Sequence, residues 1–209
     1  AEQLAGGRHV GDFSVFSHGN PVAVGARKGK ESMKLTWFGG TTLRIYIGGS
    51  IVVVDPDGAP ANVRREELLG GADHVVYLTA TNRPMVDPDH WRQAVSRPLD
   101  APPPIEIASI GASTLLVSAP GDPPLLVADV AVLPHMGRWV DGAVFVLFGN
   151  RGIGLTRDIA VRDLARPALT ALAAGEADID RLFDDLLGRV DDLNAANIAA
   201  LEPGLALEV

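Results

Sequence analysis

The sequence predicts an α+β fold on three observations. Apolar and polar residues alternate from Met33 onward, continuous apolar runs end in turn residues, and the C-terminal third carries an apolar stripe at helical spacing. Leu35 and Trp37 alternate with Lys34 and Thr36, and Leu43, Ile45 and Ile47 alternate with Thr42, Arg44 and Tyr46. A period of two sends successive side chains to opposite faces, the pattern of half-buried strands. Gly39-Gly40 and Gly48-Gly49-Ser50 supply the turns, so the opening reads as a β-meander. Ile51-Val52-Val53-Val54 does not alternate and stops at Asp55-Pro56-Asp57-Gly58, which marks a strand covered on both faces.

The later elements follow from the same rules. A short helix is expected over residues 62–69, closed by Gly70-Gly71, and a buried strand at Val75-Val76-Tyr77-Leu78. Asp87-Pro88 places an N-cap residue before a proline at the first helical position, and so predicts a helix running to Val95. Pro102-Pro103-Pro104 marks an exposed connection. Ile105–Ile107, Thr114–Val117, Val130–Leu133 and Val144–Phe148 read as further strands. Helices are expected near residues 164–174 and 178–190, the second with a core face of Ile179, Leu182, Phe183, Leu186, Leu187 and Val190. Ile198–Leu201 and Leu205–Val209 close the chain as two short strands about Pro203-Gly204.

Composition narrows the function classes. The 209 residues include no Cys, which removes disulfides, thiolate nucleophiles and thiolate zinc sites. No stretch approaches the roughly 20 unbroken apolar residues of a membrane helix, so neither a membrane nor a secretory h-region is expected, and a cytoplasmic protein is. With 18 basic and 26 acidic residues the net charge is -8, which gives a nucleic-acid backbone no electrostatic attraction. Residues 158–209 hold eleven Asp or Glu against four Arg, a solvated face or a surface for a basic partner. Residues 1–32 are punctuated by Gly6-Gly7, Gly11, Gly19-Asn20-Pro21 and Gly25 and read as an N-terminal arm or leader, with one domain over 33–209. Val10, Phe13, Val15 and Phe16 equally suit an arm that docks on a partner.

Two stretches carry a resemblance. Met33-Lys-Leu-Thr-Trp-Phe-Gly-Gly-Thr-Thr-Leu-Arg-Ile, followed by Ile-Gly-Gly-Ser-Ile-Val-Val-Val-Asp-Pro at 47–56, resembles the opening of the metallo-β-lactamase fold superfamily. The likeness is to the branch of ascorbate-6-phosphate lactonase-like, metal-dependent hydrolases, and Ile198 to Val209 is similar to that branch's closing strand pair. The resemblance implies a four-layer αββα sandwich, here trimmed, and a metal site in the loop after the strand at Val75–Leu78. That loop carries Thr-His-x-His-x-Asp-His in the family. Here it reads Thr79-Ala80-Thr81-Asn82-Arg83-Pro84-Met85, so Ala80, Asn82, Pro84 and Met85 stand at the lost-ligand positions. Ala, Pro and Met offer no hard-metal donor, and Arg83 adds positive charge where a dication sits. Gly40 replaces a further family His, and Asp122, in Pro-Gly-Asp-Pro-Pro, is either the remnant of the family's bridging Asp or a turn residue.

The remaining chemistry is sparse. No two of the five histidines have the i, i+2 or i, i+4 spacing of a ligand cluster. Asp87, Asp89, His90 and His135 form an improvised metal site if their loops converge, although Asp87 equally serves as a cap and Asp89 as a first-turn acid. Gly149-Asn150-Arg151-Gly152-Ile153-Gly154 fails the dinucleotide fingerprint and reads as a flexible loop or an anion cradle. The expected function is that of a metal-free pseudoenzyme, with no cofactor and no catalytic residue, acting as an assembly, accessory or regulatory subunit. A protein partner or homo-oligomer is expected at Met85, Trp91 and Trp139, both Trp residues being candidates for the core as well. The alternative is a zinc- or manganese-dependent hydrolase of a small phosphorylated or lactone-like substrate, with Asp122, His90 and His135 as ligands. A small-molecule binder using the old cleft is a third reading.

Overall fold

Alternation in residues 34–54 produces the expected hairpins. β1 (Lys34–Gly39), β2 (Thr42–Ile47) and β3 (Ser50–Val54) pair antiparallel in that order. A computed structural model describes residues 32–95, 104–162, 164–187 and 197–209. After β3 the chain passes through α1 (Arg65–Leu69) and returns as β4 (His74–Val76), parallel to β3. β11 (Ala206–Glu208) pairs antiparallel with β1 and completes a sheet of order β11-β1-β2-β3-β4.

The second sheet begins with the hairpin of β5 (Glu106–Gly111) and β6 (Thr114–Ser118), followed by antiparallel β7 (Leu125–Ala128). β8 (Val144–Phe148), β9 (Leu169–Ala173) and β10 (Ile198–Ala200) then add in parallel, giving the order β10-β9-β8-β7-β6-β5. Connections α2 (Gly149–Arg162) and α3 (Glu176–Leu187) are the crossovers that parallel pairing demands.

Packing explains the unbroken apolar runs of the second sheet. Leu115, Val117, Leu125, Val127 and Val146 face Leu35, Ile45, Val52 and Val54 of the first sheet. Their neighbours Leu116, Leu126, Phe145, Leu147 and Leu172 point the other way, onto Leu155 and Ile159 of α2 and Leu182 and Leu186 of α3. Strands buried on both faces have no polar alternation to show. The first sheet is half-buried and keeps Lys34 and Arg44 on its outer face. There the Arg44 guanidinium donates to the carbonyls of Leu68 (2.6 Å) and Gly70 (2.7 Å), satisfying the C-terminal end of α1. The layers therefore run α1, sheet, sheet, α2 with α3: an α+β, αββα sandwich whose first helical layer is one short helix.

Several expectations need correction. Residues 164–174 are not a helix, since Leu169–Ala173 is a central strand with four of its five residues buried, and burial overrides the helix propensity of its alanines. Val130–Leu133 lies in an irregular loop, the strand being Leu125–Ala128. Gly149–Gly154 is the start of α2: Gly149 turns the chain at φ +54°, and a Cβ on Gly152 would lie 2.7 Å from the Leu147 carbonyl carbon. The expected helix from Asp87 is a single turn, after which the Gln93 amide is held by the carbonyls of Ala119 and Asp122, both at 2.8 Å. β10 and β11 do not pair with each other but close the two sheets separately. The expected arm, residues 1–32, lies outside the described residues except for Ser32, and the chain divides between Lys30 and Glu31. Among the described residues no helix is long and apolar enough to cross a membrane.

Candidate functional site

The site is built where β3 and β4, parallel neighbours, both end. Asp55 follows β3 in the left-handed region at φ +44°, a conformation that costs a non-glycine residue roughly 1 kcal/mol or more. Its backbone N–H donates to the Val76 carbonyl (2.9 Å), its carbonyl accepts the Thr42 hydroxyl (2.6 Å), and its carboxylate accepts the Leu78 N–H (2.9 Å). Three bonds hold the strained residue and fix how the chain leaves β4. Residues 77–86 then cross from the edge of the first sheet to the edge of the second, where Met85 bridges Ser109 of β5 and Val86 N–H donates to the Ser109 carbonyl at 3.0 Å.

Arg83 folds back under this crossing. Its guanidinium donates to the carbonyls of Tyr77 and Leu78, the latter at 3.3 Å, and to the Ser109 hydroxyl at 3.2 Å. Burial pushes its pKa down, and the negative charge of Asp55 partly offsets this. A cavity of about 350 Å³ opens beside it between the crossing and the β5–β6 turn. Ala80 lines the cavity, Met85 is 75% exposed at its rim, and Asn82 and Pro84 are exposed.

Ala80, Asn82, Pro84 and Met85 thus lie on one crossing, where of the four only Asn82 offers a hard oxygen donor. Ala80 and Pro84 carry no donor, the Met85 thioether is too soft for a hard dication, and the Arg83 cation stands among them. Among the described residues no three His, Asp or Glu side chains gather in a group able to hold a metal ion.

Asp122 is displaced from this loop and is corrected here as a remnant ligand. Its carboxylate accepts the N–H of Gly48, in the β2–β3 turn. The six-residue β2 separates that turn from the Asp55 end, a span of about 20 Å. The acid that does reach the site end is Asp129, one residue past β7. Its N–H donates to the Ser113 carbonyl (3.1 Å), and its carboxylate pairs with Arg151 at 3.2 Å. Asp55 and Asp129 were not singled out by sequence reasoning, yet each directly follows an apolar run that ends as a strand.

His90 and His135 stand in two exposed pairs. His90 Nδ1 is 2.8 Å from the Asp87 carboxylate, and His135 Nδ1 is 3.4 Å from that of Asp89. The Asp89 N–H (3.0 Å) and the His90 ring hold the Asp87 carboxyl below the usual carboxylate range. A depressed folded pKa contributes stability above the ordinary carboxylate pKa and loses it as pH falls through the folded value. The stability difference between wild type and Asp87→Asn, measured by urea unfolding, is therefore expected to shrink on going from neutral pH into acid. A difference independent of pH would mean that Asp87 acts through geometry alone.

The two tryptophans answer a different question. Trp91 is 7% exposed, its indole N–H reaches the Glu106 carboxylate at 3.2 Å, and its ring packs edge-on against Trp139 with centroids 5.0 Å apart. Trp139 is half-buried and donates its N–H to the Pro88 carbonyl at 2.6 Å. Trp91 is consequently core, which corrects its reading as an interface residue.

No protein-family model and no curated protein matches the sequence. Solved structures similar in fold include a protein from Thermotoga maritima described as a Zn-dependent hydrolase of the metallo-β-lactamase superfamily. Its identity is 15% and its TM-score 0.43, over 77% of this chain and 87% of that one. Another is Igni18, a metallo hydrolase from Ignicoccus hospitalis, at 12% identity and TM-score 0.42, over 85% of this chain and 99% of that one.

Proposed function

We propose that this chain is a non-catalytic protein on a hydrolase-like scaffold, serving as an assembly, accessory or regulatory subunit. One observation carries the reading: at the crossing where the resemblance places two metal ions, the cation is the guanidinium of Arg83, fixed by two backbone carbonyls and Ser109. A metal-bound hydroxide needs neutral imidazoles and carboxylates around a dication, and a fixed guanidinium repels that dication. Without turnover, the rim of the cleft is available for contact, and Met85 supplies exposed apolar surface there.

Metal loading tests the reading. Protein incubated with zinc or manganese and then desalted is expected to retain far less than one ion per chain by elemental analysis. Retention of about one ion or more per chain, lost in His90→Ala or His135→Ala, would overturn the metal-free reading and favour the metal-dependent hydrolase instead.

A further inference from the structure

The guanidinium of Arg83 is only partly used by the protein. A guanidinium has five N–H donors, of which the Tyr77 carbonyl, the Leu78 carbonyl and the Ser109 hydroxyl take three, leaving one on each terminal nitrogen. No Asp or Glu among the described residues forms an ion pair with it; the negative charge of Asp55 acts on it from beyond contact distance and offsets its burial only in part. A half-buried cation without a carboxylate in contact is costly, and an anion that enters beside it recovers that cost.

The cavity alongside has the lining for such an anion. The hydroxyl-bearing residues Thr79, Thr81 and Ser109 line it with Arg83, and Leu78 and Met85 are its largest apolar lining residues. We infer that this cavity binds a small organic carboxylate, its oxyanion on Arg83 and the hydroxyls and its hydrocarbon part against Leu78 and Met85. One guanidinium balances one negative charge and matches the planar two-oxygen geometry of a carboxylate. The protein's net charge of -8 disfavours a multiply charged phosphate at the same place. The inference rests on the metal-free reading of the cleft and adds a ligand class to it.

Calorimetric titration of protein first shown to be metal-free by elemental analysis tests the site, with sodium hexanoate as probe and 1-hexanol and inorganic phosphate as controls. Hexanoate is expected to bind at one site per chain and hexanol not at all. Arg83→Gln should weaken hexanoate binding by about tenfold or more. Should Arg83→Gln fail to fold, Gly111→Leu decides. Gly111 lines the cavity and a Cβ there meets nothing within 4 Å, so a leucine is accommodated at the lining with Arg83 left in place. It is expected to abolish binding. Undetectable hexanoate binding to wild type, undiminished binding to either variant, or tighter binding of phosphate or hexanol would overturn the inference and leave the metal-free reading intact. Stoichiometric metal in the starting protein would overturn that reading instead.

Discussion

Trp91→Ala is expected to cost about 3–5 kcal/mol, the range for truncating a buried aromatic. Its ring is 7% exposed, is stacked edge-on against Trp139, and has its N–H on Glu106, so removal leaves both a void and an acceptor without its donor. For a chain of this length such a loss lowers Tm by roughly 10 °C. Native mass by light scattering should stay unchanged. Met85→Asp, at a side chain 75% exposed, is expected to leave Tm nearly constant and, on the proposal that Met85 makes a protein contact, to lower the native mass. If Trp91→Ala altered the mass at constant Tm, Trp91 would be an interface residue after all.

Gly152 gives the second large effect, with a built-in control. Replacing a helical Gly by Ala ordinarily gains up to about 1 kcal/mol, and that gain is expected for Gly154, where a Cβ meets nothing within 4 Å. At Gly152 a Cβ would sit 2.7 Å from the Leu147 carbonyl carbon and 2.9 Å from its Cβ, where α2 crosses back over β8. A strand backbone at the centre of a sheet cannot yield, so Gly152→Ala is expected to destabilise by about 2 kcal/mol or more. Urea unfolding of the two variants reads the sign. Stabilisation of both would show that α2 does not approach β8 this closely.

The same glycine shows where the sequence was legible and where it was not. Residues 34–54 were readable because one sheet face is wet, so burial writes itself as alternation. In the second sheet both faces are covered, and the signal reduces to apolar runs that do not announce their number or order. Leu125–Ala128 was missed for this reason. Asp122 bonds the β2–β3 turn whereas Asp129, one residue past β7, bonds Ser113 in the β5–β6 turn, a difference that no residue type in the sequence carries. Gly149–Gly154 read as a loop because glycine's scarcity in helices outweighs, in sequence, a packing contact visible only in three dimensions.

The candidate site was legible in what it lacks. Ala80, Pro84 and Met85 carry no hard-metal donor, and residue type alone says so. What Arg83 does instead was not readable, because its partners are two backbone carbonyls five and six residues back and a serine 26 residues ahead. Backbone acceptors carry no residue signature, and the contact with Ser109 exists only because the 77–86 crossing joins the edges of two sheets. Asp55 was read as a turn residue. Its carboxylate bond to Leu78 N–H shows that the same turn also sets the direction of the crossing.

If the cleft is metal-free, the guanidinium of Arg83 stands where the resemblance places the metal centre. Zinc-edge anomalous diffraction from crystals equilibrated with zinc tests it most directly, because it locates the ion as well as detecting it. No anomalous peak is expected within bonding distance of residues 79–85, Asp55 or Asp129, and the Arg83 side chain should be seated on the Tyr77 and Leu78 carbonyls. A peak bonded to Asp55 and Asp129, with Arg83 swung out of the cleft, would contradict it.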